Sequence, residues 1–162
     1  MTTQSTHNVD VTRDFQAPVE AVWRAWTESD QVKRWWGPQG FTAPVANMDV
    51  REGGTSLVCM RSPDGHDLFN TWTYDRVEPP RRLEFVLRFA DQHGATLDPA
   101  AIGLPPDIPR DVRHVLVFEP TSANTSRLSV TEYGYGTQDT AAMSKMGLEQ
   151  CLDKMAASFS QA

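Results

Sequence analysis

His114, Glu132 and Tyr74 supply an imidazole, a carboxylate and a phenol on three segments that read as strands, and side-chain parity decides whether they can meet. Successive strand residues point to opposite faces, so in Val112 to Phe118 the ring of His114 shares a face with Val112, Leu116 and Phe118. Arg113, Val115 and Val117 take the other face. By the same count Leu128, Val130 and Glu132 lie together, as do Trp72 and Tyr74. If Phe118 points inward, all three polar groups look onto one wall. Such a set can orient the polar group of a ligand, or act as general acid and base in a cyclisation or hydrolysis. The same residues also suit plainer duties, His114 as a hydrogen-bonded core residue and Glu132 as a solvated group near a strand end.

Other patterns that could carry chemistry are weaker. Asp64, His66 and Asp67 match metal ligands by type alone; they sit in a hairpin turn where Asp-Gly serves the backbone, and no metal site is expected. Cys59 and Cys151 are far apart inside apolar patterns and read as buried free thiols. No HExxH, CxxC, phosphate loop or Ser-His-Asp spacing occurs, and no cofactor is expected. Met48, Met60, Met143, Met146 and Met155 are numerous thioethers for a small domain, suited either to a pocket for a flexible apolar ligand or to ordinary core filling.

The elements that must position these groups follow from periodicity. At 162 residues the chain is large enough for one domain with one core. Residues 1–8 read as a disordered tail and residues 9–162 as the domain. A first strand spans Val9 to Phe15, then a helix begins near Pro18 with Val19, Val22, Trp23 and Trp26 on one face, and a second short helix ends at Trp35-Trp36 before Gly37-Pro38. Trp35 and Trp36 read as its packing anchor. Extended segments are expected over Phe41 to Val50, Thr55 to Arg61, Leu68 to Val77, Leu83 to Phe89, Val112 to Glu119 and Arg127 to Glu132, with short turns that imply antiparallel neighbours. Tyr133 to Gly136 reads as a strand exit into the helix, with the alternative that the rings of Tyr133 and Tyr135 close the cavity mouth. Asp139 to Phe159 has no proline, and Ala141, Ser144, Leu148, Cys151, Leu152, Met155 and Phe159 form one helical stripe. The layout is α+β. Asp91 to Asp111, with Pro99, Pro105, Pro106 and Pro109, reads as a long loop, either a solvated connector or a lid over a cavity mouth.

The net charge of −6 and the absence of Lys/Arg clusters exclude a nucleic-acid partner. No apolar run approaches the roughly 20 residues that span a bilayer, and MTTQSTHNVD lacks signal-peptide character, so membrane insertion is not expected and a cytoplasmic location is.

Between Val11 and Phe159 the chain resembles the activator of heat shock protein 90 ATPase homologue domain, within the START-like (SRPBCC, birch-pollen-allergen-like) superfamily. The resemblance rests, in order, on APVEAVWRAWTESDQVKRWWGPQGF, DVREGG, RVEPPRRLEF, HVLVFEP, RLSVTEYG and MGLEQCLDKMAASF. It implies a helix-grip fold, in which a curved antiparallel sheet of about six to seven strands wraps a long C-terminal helix and encloses a hydrophobic cavity. Trp72 stands where the family often has glycine, and Leu148 where it often has tryptophan in the last helix. The expected cavity wall comprises Met48, Met60, Trp72, Tyr74, Phe85 and His114 from one run of strands, Leu116, Phe118 and Glu132 from the next, and Met143, Gly147 and Cys151 from the helix. Three functions are open to such a domain. It binds a small hydrophobic or aromatic molecule; or it is a cyclase- or hydrolase-type enzyme using His114 with Glu132 or Tyr74; or it is a stress-related module with a chaperone partner. A sheet edge could also pair two copies into a homodimer.

Overall fold

The computed structural model describes residues 6–160. Its elements are β1 (His7–Phe15), α1 (Val19–Thr27), α2 (Ser29–Trp35), β2 (Thr42–Asn47), β3 (Thr55–Arg61), β4 (Asp67–Glu78), β5 (Arg82–Ala90), β6 (Asp111–Pro120), β7 (Ser126–Tyr135) and α3 (Gln138–Phe159), with a single 3-10 turn at Pro99–Ile102. β1 begins at His7, so His7 and Asn8 belong to the strand and not to the tail expected over residues 1–8. Residues 1–5 of that tail lie outside the described residues.

One antiparallel sheet carries the seven strands in the order β1-β7-β6-β5-β4-β3-β2. From β2 to β7 each strand pairs with the next in sequence, which the short turns require, whereas β1 pairs with β7. The chain therefore crosses the whole sheet between β1 and β2, and α1 and α2 make that crossing. Both helices and α3 pack on one face: α1 against β6 and β7, α2 against β2, and α3 against β1 and β7. Helical spacing explains how. α1 buries Val19, Val22, Ala25 and Trp26, and half-buried Trp23 packs edge-on against Phe118 with ring centroids 5.1 Å apart. Thr137 caps the start of α3, its hydroxyl accepting from the Thr140 amide at 3.2 Å, and the helix buries Ala141, Leu148, Cys151, Leu152 and Met155.

Between the layers lies a core rich in aromatic rings, including Trp26, Trp35, Trp72, Tyr74, Phe85 and Phe118, all almost fully buried. The Asp91 to Asp111 segment folds against the outside of this layout: its Asp107 carbonyl accepts from the Gly136 amide at 2.8 Å, at the junction of β7 and α3.

Candidate functional site

Register brings the inward residues of four strands into one row. Tyr74 opposes Phe85, Phe85 opposes His114, and His114 opposes Glu132 across β4, β5, β6 and β7. Phe85 is sandwiched between two rings, stacked on Trp72 at 5.0 Å and 19° and on His114 at 4.7 Å and 16°. The imidazole is thus fixed in plane by the ring beside it, and in rotation by Nδ1, which lies 3.0 Å from the Val112 carbonyl. A carbonyl only accepts, so Nδ1 carries a proton and Nε2 faces Glu132, 3.5 Å from Oε2.

The other carboxylate oxygen is crowded. Glu132 Oε1 accepts from the Tyr135 hydroxyl at 2.6 Å and from Ser144 Oγ at 2.8 Å, and those two hydroxyls are 2.7 Å apart. Glu132 is buried, with 4% of its surface exposed. Burial works to raise its pKa, yet the His114 imidazole and the two hydroxyls outweigh it, and the net direction is down. Tyr135 moves up through burial and then the neighbouring Glu132 charge, so it remains a phenol donor.

This polar corner opens onto a cavity of about 180 Å³ between the sheet and α3. Trp26, Trp36, Phe85, Leu87, Val112 and Leu148 form its apolar interior, and Pro38, Met60, Leu68 and Phe89, all partly exposed, mark its outer end. Gly147 completes the helix side: a Cβ built there would meet nothing within 4 Å, so the missing side chain leaves room in the cavity. Cys151 also lines the wall, as a thiol whose pKa burial pushes up to about 11. The turn carrying Pro38 is strapped to α3. Lys154 Nζ donates to the carbonyls of Gly37 at 2.9 Å and Phe41 at 3.1 Å, and the Gln39 amide donates to Gln150 Oε1 at 3.1 Å. Gly37 sits at φ +101°, a left-handed conformation that suits glycine.

Of the expected wall residues, Met60, Phe85, His114, Glu132, Gly147 and Cys151 line the cavity, and Met48, Trp72, Tyr74, Leu116, Phe118 and Met143 do not. Tyr74 shares the row with His114 but spends its hydroxyl on Ser56 Oγ at 2.7 Å, so the expected trio reduces to a pair. Trp72 backs Phe85 from behind. Leu116 and Phe118 face inward farther along β6, toward α1, and Met48 packs partly buried at the edge of the core. Met143 is corrected outright: it is 62% exposed, and Met146 is 60% exposed, because at about 100° per residue both stand on the far side of α3 from Leu148. None of the residues of the Asp91 to Asp111 loop lines the cavity.

Tyr135 as a cavity-mouth ring and Ser144 on the helix stripe were within the sequence reading, but their hydroxyl bonds to Glu132 were not. Strict alternation from Glu132 turns Tyr135 outward, but Gly134 has φ +101° and the β1–β7 register slips between His7 and Val9, so a bulge returns Tyr135 to the inner face. The glycine between two tyrosines at a strand end was the available signal. Among the described residues no group of three His, Cys, Asp or Glu is placed to hold a metal ion.

The one-sheet, long-helix architecture with a cavity between its layers defines a helix-grip, START-like domain. Solved structures share it across nearly the whole chain. A protein from Arthrobacter aurescens is 26% identical with a TM-score of 0.79, covering 96% of this chain and 87% of its own. An AHSA1 protein from Silicibacter pomeroyi is 18% identical with a TM-score of 0.76, covering 95% and 98%. An AHSA1-like protein from Aeromonas hydrophila is 23% identical with a TM-score of 0.69, covering 93% and 90%. The family model described as Activator of Hsp90 ATPase homolog 1-like protein matches residues 16–160, and the chain belongs to that family. No curated protein matches the sequence. No helix among the described residues is long and apolar enough to cross a membrane.

Proposed function

We propose that the domain binds a small, ring-sized apolar molecule in the cavity between the sheet and α3. The observation that carries this reading is the contrast inside the cavity: aromatic and aliphatic walls surround a single charged corner, Glu132 with His114, Tyr135 and Ser144. Apolar walls give affinity, and a few placed polar groups give orientation. The volume, about 180 Å³, is of the order of engineered apolar cavities, ~150 Å³, that admit benzene.

The same corner supports a second reading, acid–base catalysis of the cyclase or hydrolase kind. His114 and Glu132 stand 3.5 Å apart in the cavity lining, the kind of pair that can move a proton to or from a molecule held within hydrogen-bond reach, directly or through one water. Against it, Glu132 is held below the ordinary carboxylate range, which weakens it as a base.

Native mass spectrometry under gentle and denaturing conditions tests the binding reading, together with thermal melting in the presence of small aromatic probes. The expected result is a co-purifying small molecule, or a melting temperature that rises with probe concentration; a probe at about a hundred times its Kd stabilises by about 2.7 kcal/mol. No bound mass and no shift with any ring-sized probe would sink it.

A further inference from the structure

The proton count in the polar corner selects a functional group. His114 Nδ1 is committed to the Val112 carbonyl, and Glu132 Oε1 is committed to the hydroxyls of Tyr135 and Ser144. The capacity that remains is Nε2 of His114 and Oε2 of Glu132. These two atoms are 3.5 Å apart, well beyond the roughly 2.7–2.9 Å of a good charge-assisted bond. One proton shared between them leaves the imidazolium as donor and the carboxylate as acceptor.

A ligand group that caps both atoms from the cavity side must accept from Nε2 and donate to Oε2. A carbonyl or ether accepts, yet sets its lone pairs against the carboxylate. A protonated amine donates, yet sets its charge against the imidazolium. A hydroxyl does both, with one lone pair toward Nε2 and its proton toward Oε2. We infer that the molecule this cavity takes is a small hydroxylated ring, a phenol or cyclic alcohol, with its hydroxyl seated on His114 Nε2 and Glu132 Oε2 and its ring between Phe85, Trp26 and Leu148. This rests on the binding reading above and adds the chemical class of the ligand.

Three probes of nearly one size separate the outcomes: para-cresol, toluene, and para-methylanisole, whose oxygen accepts but cannot donate. Titration calorimetry on the whole protein should give para-cresol an affinity about 10- to 100-fold above toluene, the range of a hydrogen bond to a charged group. Para-methylanisole should fall near toluene, and Glu132→Gln should erase most of the cresol preference. Toluene binding as tightly as para-cresol overturns the hydroxyl assignment and leaves the apolar cavity reading standing. Para-methylanisole matching para-cresol overturns the role of Glu132 as acceptor. Failure of all three to bind overturns both the assignment and the reading beneath it. Because the probe series runs on the unsubstituted protein, the test does not depend on any variant folding.

Discussion

His114 is at once a packed ring and a charge partner, and a substitution there removes both at a stroke. It is 6% exposed, stacked on Phe85 and set against a buried carboxylate. His114→Ala should therefore lower stability by about 3 kcal/mol, the usual cost of leaving a buried charge without its partner. Urea denaturation measures it. The double variant His114→Ala/Glu132→Gln should recover part of the loss, since the stranded charge goes too; a double variant no more stable than the single would mean the pair is not coupled. Sequence parity was sufficient to place His114 and Glu132 on one wall, because β6 and β7 alternate without interruption up to Glu132. It failed at Tyr135, one bulge farther on, and at Tyr74, whose hydroxyl is claimed by Ser56 from the neighbouring strand. Neither event leaves a mark in a count of odd and even positions.

At the scale of elements, β4 and α3 hold the positions most open to test. Trp72 supports the stack Trp72–Phe85–His114 from behind, and its buried indole N–H has no partner among the described residues. Trp72→Phe keeps a ring in the stack and removes the unpaired donor, so it should cost less than about 1.5 kcal/mol. Trp72→Gly empties a core site and should cost about 3–5 kcal/mol. Equal losses for the two, in chemical denaturation, would show that the stack contributes nothing. Gly147 is the reverse case. A mid-helix glycine with open space beside it forgoes helix propensity, so Gly147→Ala should stabilise the domain by about 0.5–1 kcal/mol. Gly147→Leu should fill the cavity and abolish binding of ring-sized probes without lowering the melting temperature; retained binding would place the ligand elsewhere. The strands and helices were legible because their periods, 2 and 3.6, are strong and their turns well marked. The methionines mislead because residue type carries no angle, and angle decides: Met155 is fully buried and Met143 is mostly exposed on the same helix.

Across the whole molecule, five carboxylates, Asp14, Asp67, Glu84, Asp91 and Glu132, are shifted in one direction. Asp14 is held low by Arg127, Asp67 by Arg61, Glu84 by Arg82 and Arg113, and Asp91 by the amides of Ala95 and His93. Glu132 is low despite its burial. A carboxyl whose folded pKa lies below its unfolded value, 3.8 for Asp and 4.5 for Glu, adds stability that is complete above the unfolded value and lost as the pH falls through the folded one. The urea midpoint should therefore drop on acidification below about pH 4.5. A midpoint that holds or rises down to about pH 3 would contradict that sign. The layout of the sheet was legible from the antiparallel run of short connections; the size of the cavity was not, since its volume depends on how far α3 stands off from the strands. The strap at Lys154 carries one more consequence, for speed. Gly37 to Phe41 lies outside every strand and is held to α3 by side-chain bonds, so opening the rim would break those bonds and need not break the ladder bonds of β3 and β4. Molecular traffic through this end would run at the pace of a surface loop, nanoseconds to microseconds, with the amides of the surrounding strands protected from deuterium throughout.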